Sequence, residues 1–343
     1  MSGKNLKKAI ALILVFVMCI AVVGCGSANT ENEGKAKVEP ITLTLSHHCS
    51  ETDSNHVLAT AFADAVDELS NGTMKVEVYP NGQLFGQADA LAALRQGTLD
   101  IALSDTALFA NYAPAASIFD LPYMFNSRQH AINAVKNKKL TGAIKDMMVK
   151  TAGIRPITIE PLNFRNALVK DMSINSFEDF KNLKMRTPES PTIIAAFKAF
   201  GSNPTVIPSG EAYTAVQTGV ADGLEGHAEY VDLQKFYEVA KNYVQTQHVM
   251  TFTSFSISEK VYEGLTKEQQ DIINQAADIA LDKFLAYTDT LFEQKYKDLE
   301  DKGVKITEVD LTPFKASVKD YVDNFVKENN CKDLYNMIQE SDV

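Results

Sequence analysis

Apolar positions recur along this chain in two alternating rhythms. Ile41–Leu45 is a β-rich run that gives way to His47-His48-Cys49. From His56 to Leu69 the residues Val57, Ala61, Phe62, Ala65, Val66 and Leu69 return every three or four positions, which puts them on one helix face, and Asn71-Gly72 closes that helix. Met74–Tyr79 alternates with the period of a half-buried strand, and Pro80-Asn81-Gly82 turns it. Ala88–Arg95 predicts a helix stopped by Gly97, and Leu99–Leu103 a short buried strand that empties into Ser104-Asp105-Thr106. Ile154–Glu160, Leu183–Thr187 and Met250–Ser256 predict further strands. Ser176-Phe177-Glu178-Asp179 has the form of a capping box for a short helix, and Thr266-Lys267-Glu268-Gln269 starts a second helix in the same way. No Gly or Pro interrupts that second helix before Gly303, so it can run for about 35 residues, or about 52 Å at 1.5 Å per residue. Such a length exceeds one lobe and predicts a helix spanning two. The alternation of strands and helices is that of an α/β protein.

The first 39 residues follow different rules. Lys4, Lys7 and Lys8 precede an uncharged, mostly apolar run from Ala9 to Gly24, shorter than the roughly 20 residues of a membrane span. Val22-Val23-Gly24-Cys25 resembles a bacterial lipobox, in which Cys25 is acylated and becomes the mature N-terminus; a plain signal peptide or an uncleaved anchor is the alternative. Residues 1–24 are therefore expected to be a lipoprotein signal peptide and 25–39 a flexible tether, small and polar without an aromatic residue. That predicts an exported protein, lipid-anchored to the outer face of a membrane. Losing Lys4, Lys7 and Lys8 takes the formal charge from −11 to −14. So acidic a surface argues against nucleic acid, whose phosphates demand cations. Cys49 and Cys331 remain, and their spacing does not decide whether they pair; without a CxxC there is no zinc-ribbon or thioredoxin signal.

Candidate chemistry is sparse. The chain has no GxSxG elbow, HExxH, GxxxxGK or EF-hand loop, so neither an enzyme, a cofactor nor a metal is predicted. His47, His48 and His56 fit no standard ligand spacing and read as a strand-end loop; His130, on a Lys-rich helix, reads as surface. Arginine is the informative residue. There are five against 28 lysines, and Arg165 and Arg186, 21 residues apart, lie at strand edges in one segment. A planar guanidinium grips a carboxylate with two parallel hydrogen bonds, which an ammonium cannot do. As residues alone, both also fit structural ion pairs. Asp105 follows a buried strand, where open α/β sheets place ligands, but equally fits a helix N-cap.

The segments combine into a familiar order. Leu84-Phe85-Gly86, Gly97-Thr98-Leu99-Asp100, Phe119-Asp120-Leu121-Pro122-Tyr123, Leu183-Lys184-Met185-Arg186, Gly210-Glu211-Ala212-Tyr213 and Gln217–Glu225 together resemble the extracytoplasmic solute-binding proteins of tripartite ATP-independent periplasmic (TRAP) transporters, the C4-dicarboxylate-binding type. The likeness spans about Ile41–Leu334. It implies a two-lobe, periplasmic-binding-protein-like α/β fold closing around one organic anion, with lobe one at 40–162 and 252–291 and lobe two at 163–251 and 292–338. It places the carboxylate clamp at Arg186 and a second cation at Arg165. His48, Cys49, Asp105, Ser209 and His248 fall where relatives contact the rest of the ligand, and Glu225 matches the acid of an Asp-Gly-x-Glu-Asn-Pro run. Here Gly226-His227 replaces that Asn-Pro, so either His227 substitutes or a bulkier ligand fills the space over Gly226. The implied partners are a small organic acid (C4-dicarboxylate, 2-oxo or hydroxy acid, or sugar acid) and a TRAP-type permease, with the receptor itself a monomer. A module reporting to a sensor kinase would share the same fold and site.

Overall fold

The computed structural model describes residues 40–170 and 172–342; the expected signal peptide, Cys25 and the tether lie outside them. β1 (Ile41–Ser46), β2 (Met74–Tyr79) and β3 (Ile101–Asp105) alternate with α1 (Ser54–Leu69) and α2 (Gln87–Gln96). α3 (Arg128–Lys136) and α4 (Lys138–Ala152) lead into β4 (Ile154–Pro156) and β5 (Glu160–Val169). Then come β6 (Lys184–Thr187), α5 (Pro191–Ala199), β7 (Asn203–Val206), α6 (Ser209–Gln217), β8 (Gly223–Gly226) and α7 (Ala228–Leu233). The long β9 (Asn242–Ser258) is followed by α8 (Glu259–Gly264), α9 (Lys267–Asp301), β10 (Lys305–Thr307), α10 (Thr312–Glu328) and α11 (Lys332–Gln339).

All ten strands join one mixed sheet, ordered β2-β1-β3-β9-β5-β8-β6-β7, with β4 and β10 also pairing β9. Parallel blocks occupy its two ends, β2-β1-β3 and β8-β6-β7. The antiparallel pair β5/β9 joins them. Its register slips twice, between Pro161 and Phe164 and between Arg165 and Ala167. Pro161 cannot donate to a ladder, which is why a proline inside a sheet marks a bulge. The second slip is absorbed by Gln247, whose φ is 44° and whose N–H bonds Asn166 Oδ1 at 2.9 Å.

Four apolar clusters cover the sheet. The first gathers Leu94, Phe119, Ile144 and Phe252, and the second Leu45, Phe62, Phe255 and Phe284. The third is rich in phenylalanine (Phe180, Phe197, Phe200, Phe314), and the fourth holds Leu224, Phe236, Tyr243 and Leu299. Each such ring contributes roughly 1.5–3 kcal/mol when removed from water. Helix α9 is 35 residues long, as its uninterrupted sequence predicts, and Thr266 and Gln269 form the expected capping box. It packs Ile273–Phe292 on the second cluster and Leu299 on the fourth, so one rigid rod ties the two ends of the sheet. Cys331, Leu334 and Ile338 of the C-terminal segment pack into the first cluster.

Several local expectations change. Ile154–Glu160 is not one strand: after Pro156 the amides of Ile157 and Thr158 both turn onto the Phe255 carbonyl, at 2.8 and 3.3 Å. The Ser176 segment forms no α-helix, only a 3₁₀ turn at Glu178–Phe180. The Asp179 carboxylate draws back the amides of Asn175 and Ser176 instead. His130 is buried rather than on the surface, with Nε2 2.7 Å from the Ile338 carbonyl; it shares the inner face of α3 with Ala131 and Ala134, a spacing its lysine neighbours obscure. Cys49 and Cys331 are both unpaired, buried thiols in different clusters.

Gly223 shows how tightly β8 fits. A Cβ there would lie 2.5 Å from the Leu168 carbonyl oxygen, which the strand ladder holds in place. Gly223→Ala is expected to cost about 2 kcal/mol or more of unfolding free energy in urea titration. A loss below about 0.5 kcal/mol, the range of neutral surface changes, would contradict that packing.

Candidate ligand-binding site

β6 and β8 run parallel, with Met185 beside Gly223, and both end at the same edge of the sheet. The crevice outside strand carboxyl ends is where open α/β sheets bind ligands. Arg186 lies there on β6, only 2% exposed. Its Nε–H donates to the Ile207 carbonyl at 2.8 Å, which fixes the plane of the guanidinium. No carboxylate among the described residues pairs with it.

Arg165 is different. From β5 it directs Nε and Nη2 at the two oxygens of Glu225 on β8, a bidentate pair with Nη2 at 2.6 Å. Nη1 stands 3.5 Å from Thr251 Oγ1. His248 joins from β9: Nε2 lies 3.2 Å from Glu225 Oε2 and Nδ1 2.9 Å from the Thr246 hydroxyl. A neutral imidazole satisfies both, donating to the carboxylate and accepting from the threonine. Burial lowers the His248 basicity, though Glu225 partly offsets this. Burial would raise the pKa of Glu225, yet Arg165 outweighs it and holds the carboxyl below its ordinary range. The fork of Arg165 is thus committed within the protein, to the acid that the resemblance places among the ligand contacts.

The opposite side of the site comes from the first half of the chain. Gln87 joins two predicted positions, donating to His48 Nε2 at 3.1 Å and accepting the Asp105 amide at 2.7 Å. Asp105 heads a 3₁₀ turn without any side-chain capping bond. Its charge bears on Cys49, Asp53, Asp120 and Arg165, so it stands among them. Cys49 receives Asn55 Nδ2 at 3.7 Å, and burial pushes its thiol well above the ordinary value.

Two residues escaped the sequence. Glu229 of α7 accepts the Ser54 amide and hydroxyl at 2.9 and 2.8 Å, sealing the start of α1 across 175 residues. Burial, then Asp53, raises it to about 8. Tyr230 lies over Gly226, its Cδ1 2.6 Å from where a Cβ would stand. His227 instead caps α7, its Nδ1 facing the Tyr230 amide at 3.4 Å, and burial and Arg165 push it down to about 3. Ser209 heads α6, with Oγ 2.6 Å from the Tyr230 hydroxyl. Only the departure at Gly226 hinted at this arrangement.

A two-ended α/β sheet with, among the described residues, one buried arginine that no carboxylate pairs suits an extracytoplasmic solute receptor. The model for bacterial extracellular solute-binding protein, family 7, matches residues 45–329, and the chain belongs to that family. A solute-binding protein of Roseobacter denitrificans is 31% identical over 83% of this chain and 86% of its own. The 2,3-diketo-L-gulonate-binding periplasmic protein of Escherichia coli is 30% identical over 84% and 88%. Among solved structures, a TRAP periplasmic solute binding protein from Sulfitobacter with bound β-D-galacturonate superposes with a TM-score of 0.82 at 25% identity, covering 87% of this chain and 99% of that one. The protein is an extracytoplasmic solute receptor of TRAP transport.

Glu225→Gln would leave the Arg165 guanidinium buried without its counter-charge, an expected loss of about 3–5 kcal/mol. The wild-type carboxyl is depressed in the fold, so its stabilisation is present above the ordinary value of 4.5 and fades as pH falls below it. Urea unfolding between pH 3 and 7 should show a shallower acid loss in Glu225→Gln, and an unchanged slope would contradict the pair.

Proposed function

We propose that Arg186 takes both oxygens of a single carboxylate on a hydroxylated acid, of the sugar-acid or uronate kind. The observation that carries this is the asymmetry of the two arginines: Arg165 has its counter-ion, and Arg186, equally buried, has none among the described residues. From the first half of the chain Asp105 bears on Arg165. A carboxylate there accepts from a ligand hydroxyl, whereas a second ligand carboxylate would meet like charge. The reading agrees with two relatives, one named for 2,3-diketo-L-gulonate and one holding β-D-galacturonate, each an acid with one carboxylate and several other oxygens.

Binding, not catalysis, is the proposed role. The acid enters an open crevice and bonds Arg186, and the halves 40–162 with 252–291 and 331–338, and 163–251 with 292–330, then close on it. The register slips of β5/β9 beside Arg165 are the flexible points, and the end of the C-terminal segment moves with the first half, on which Cys331, Leu334 and Ile338 pack. Ligand shifts the population toward the closed form, which the permease receives. The receptor acts as a monomer, held at the membrane by lipid on Cys25.

Calorimetry with D-galacturonate, D-glucuronate and succinate tests this. The uronates are expected to bind and succinate not. Arg186→Ala is expected to lose at least about 30-fold, the lower end for truncating one partner of a buried charge pair. Arg186→Lys should bind poorly as well, because an ammonium cannot form the fork. Wild-type affinity in Arg186→Ala would overturn the assignment.

A further inference from the structure

Gly226 is a glycine for space and not for backbone freedom. Its φ is not in the left-handed region, unlike that of Gly219 or Gly201. A Cβ at 226 would meet Tyr230 Cδ1 at 2.6 Å and Cε1 at 3.3 Å, so the phenol ring lies where any other residue would begin. The ring is held from several sides. Its edge meets Phe236 at 5.2 Å between centroids, its amide faces the cap His227, and its hydroxyl sits 2.6 Å from Ser209 Oγ. Ser209 is two residues beyond Ile207, whose carbonyl orients Arg186. The phenol also stands near enough to Arg165 to bear on its charge.

Counting protons adds the chemistry. Two hydroxyls share one hydrogen bond, which uses one hydrogen and leaves the other to donate. With Ser209 donating to the phenol oxygen, the hydrogen left free is that of the half-buried Tyr230.

We propose that Tyr230, admitted by Gly226 and fixed by Ser209, is a specificity-determining residue of this receptor, giving the remaining hydroxyl hydrogen of the pair to an oxygen of the bound acid and bounding the ligand with its ring. A donor one turn along α7 thereby replaces a side chain at 226. The proposal rests on the carboxylate reading of Arg186, and it favours acids that carry an oxygen beside the carboxylate carbon.

The test has two arms. Without ligand, Gly226→Ala is expected to lower the melting temperature, and to lower it far less in a Tyr230→Ala background, because the clash has gone. With D-galacturonate in calorimetry, Tyr230→Phe keeps the ring and removes the donor, and is expected to weaken binding about 2- to 12-fold, the range of one hydrogen bond. Gly226→Asn should weaken binding more, and regain part of it when combined with Tyr230→Ala. Additive stabilities in the first arm would overturn the pairing. Binding abolished by Arg186→Ala but unchanged by Tyr230→Phe would overturn this proposal alone. A wild-type receptor that bound no acid would overturn the carboxylate reading, and the ligand contact with it.

Discussion

The buried ion pair between Arg165 and Glu225 governs the site. Taking both charges out of water costs several kcal/mol per ion, and only near-ideal geometry repays it. Here the geometry is bidentate, and His248 and Thr251 occupy further positions around the pair. The consequence is a division of labour. One guanidinium holds β5, β8 and β9 together, and the other, on β6, is left with its charge uncompensated by any described residue. In an acidic protein, that unpaired buried cation is a strong local demand for an anion.

The frame around the pair makes that arrangement responsive. β5 and β9 carry the chain between the two parallel blocks, and their ladder is irregular on either side of Arg165. The same irregularity sets His248 beside Glu225, since Gln247 takes a positive φ to turn the strand. Helix α9 spans two core clusters, while Glu229 anchors α7 to the start of α1.

Features set by local periodicity were legible in the sequence. α9 appears at its full length because nothing between Thr266 and Gly303 breaks a helix, and its capping box needs only four adjacent residues. Arg186 stands out because a lysine-using chain spends an arginine at a strand end. What the sequence concealed depends on distant partners. Glu225 lies 60 residues from Arg165 and Glu229 175 from Ser54, so neither pairing leaves a local mark. β5 is interrupted at Pro161, which cannot donate to a ladder and sits at a register slip. Tyr230 was hidden because what it requires is the absence of a side chain at 226, and an absence has no periodicity.

The most direct test of the account is a crystal structure of the receptor grown with D-galacturonate. The expected result is the ligand carboxylate on Arg186, with the Arg165–Glu225 pair intact. A carboxylate bound instead by Arg165, with Glu225 displaced, would contradict the division of labour between the two arginines.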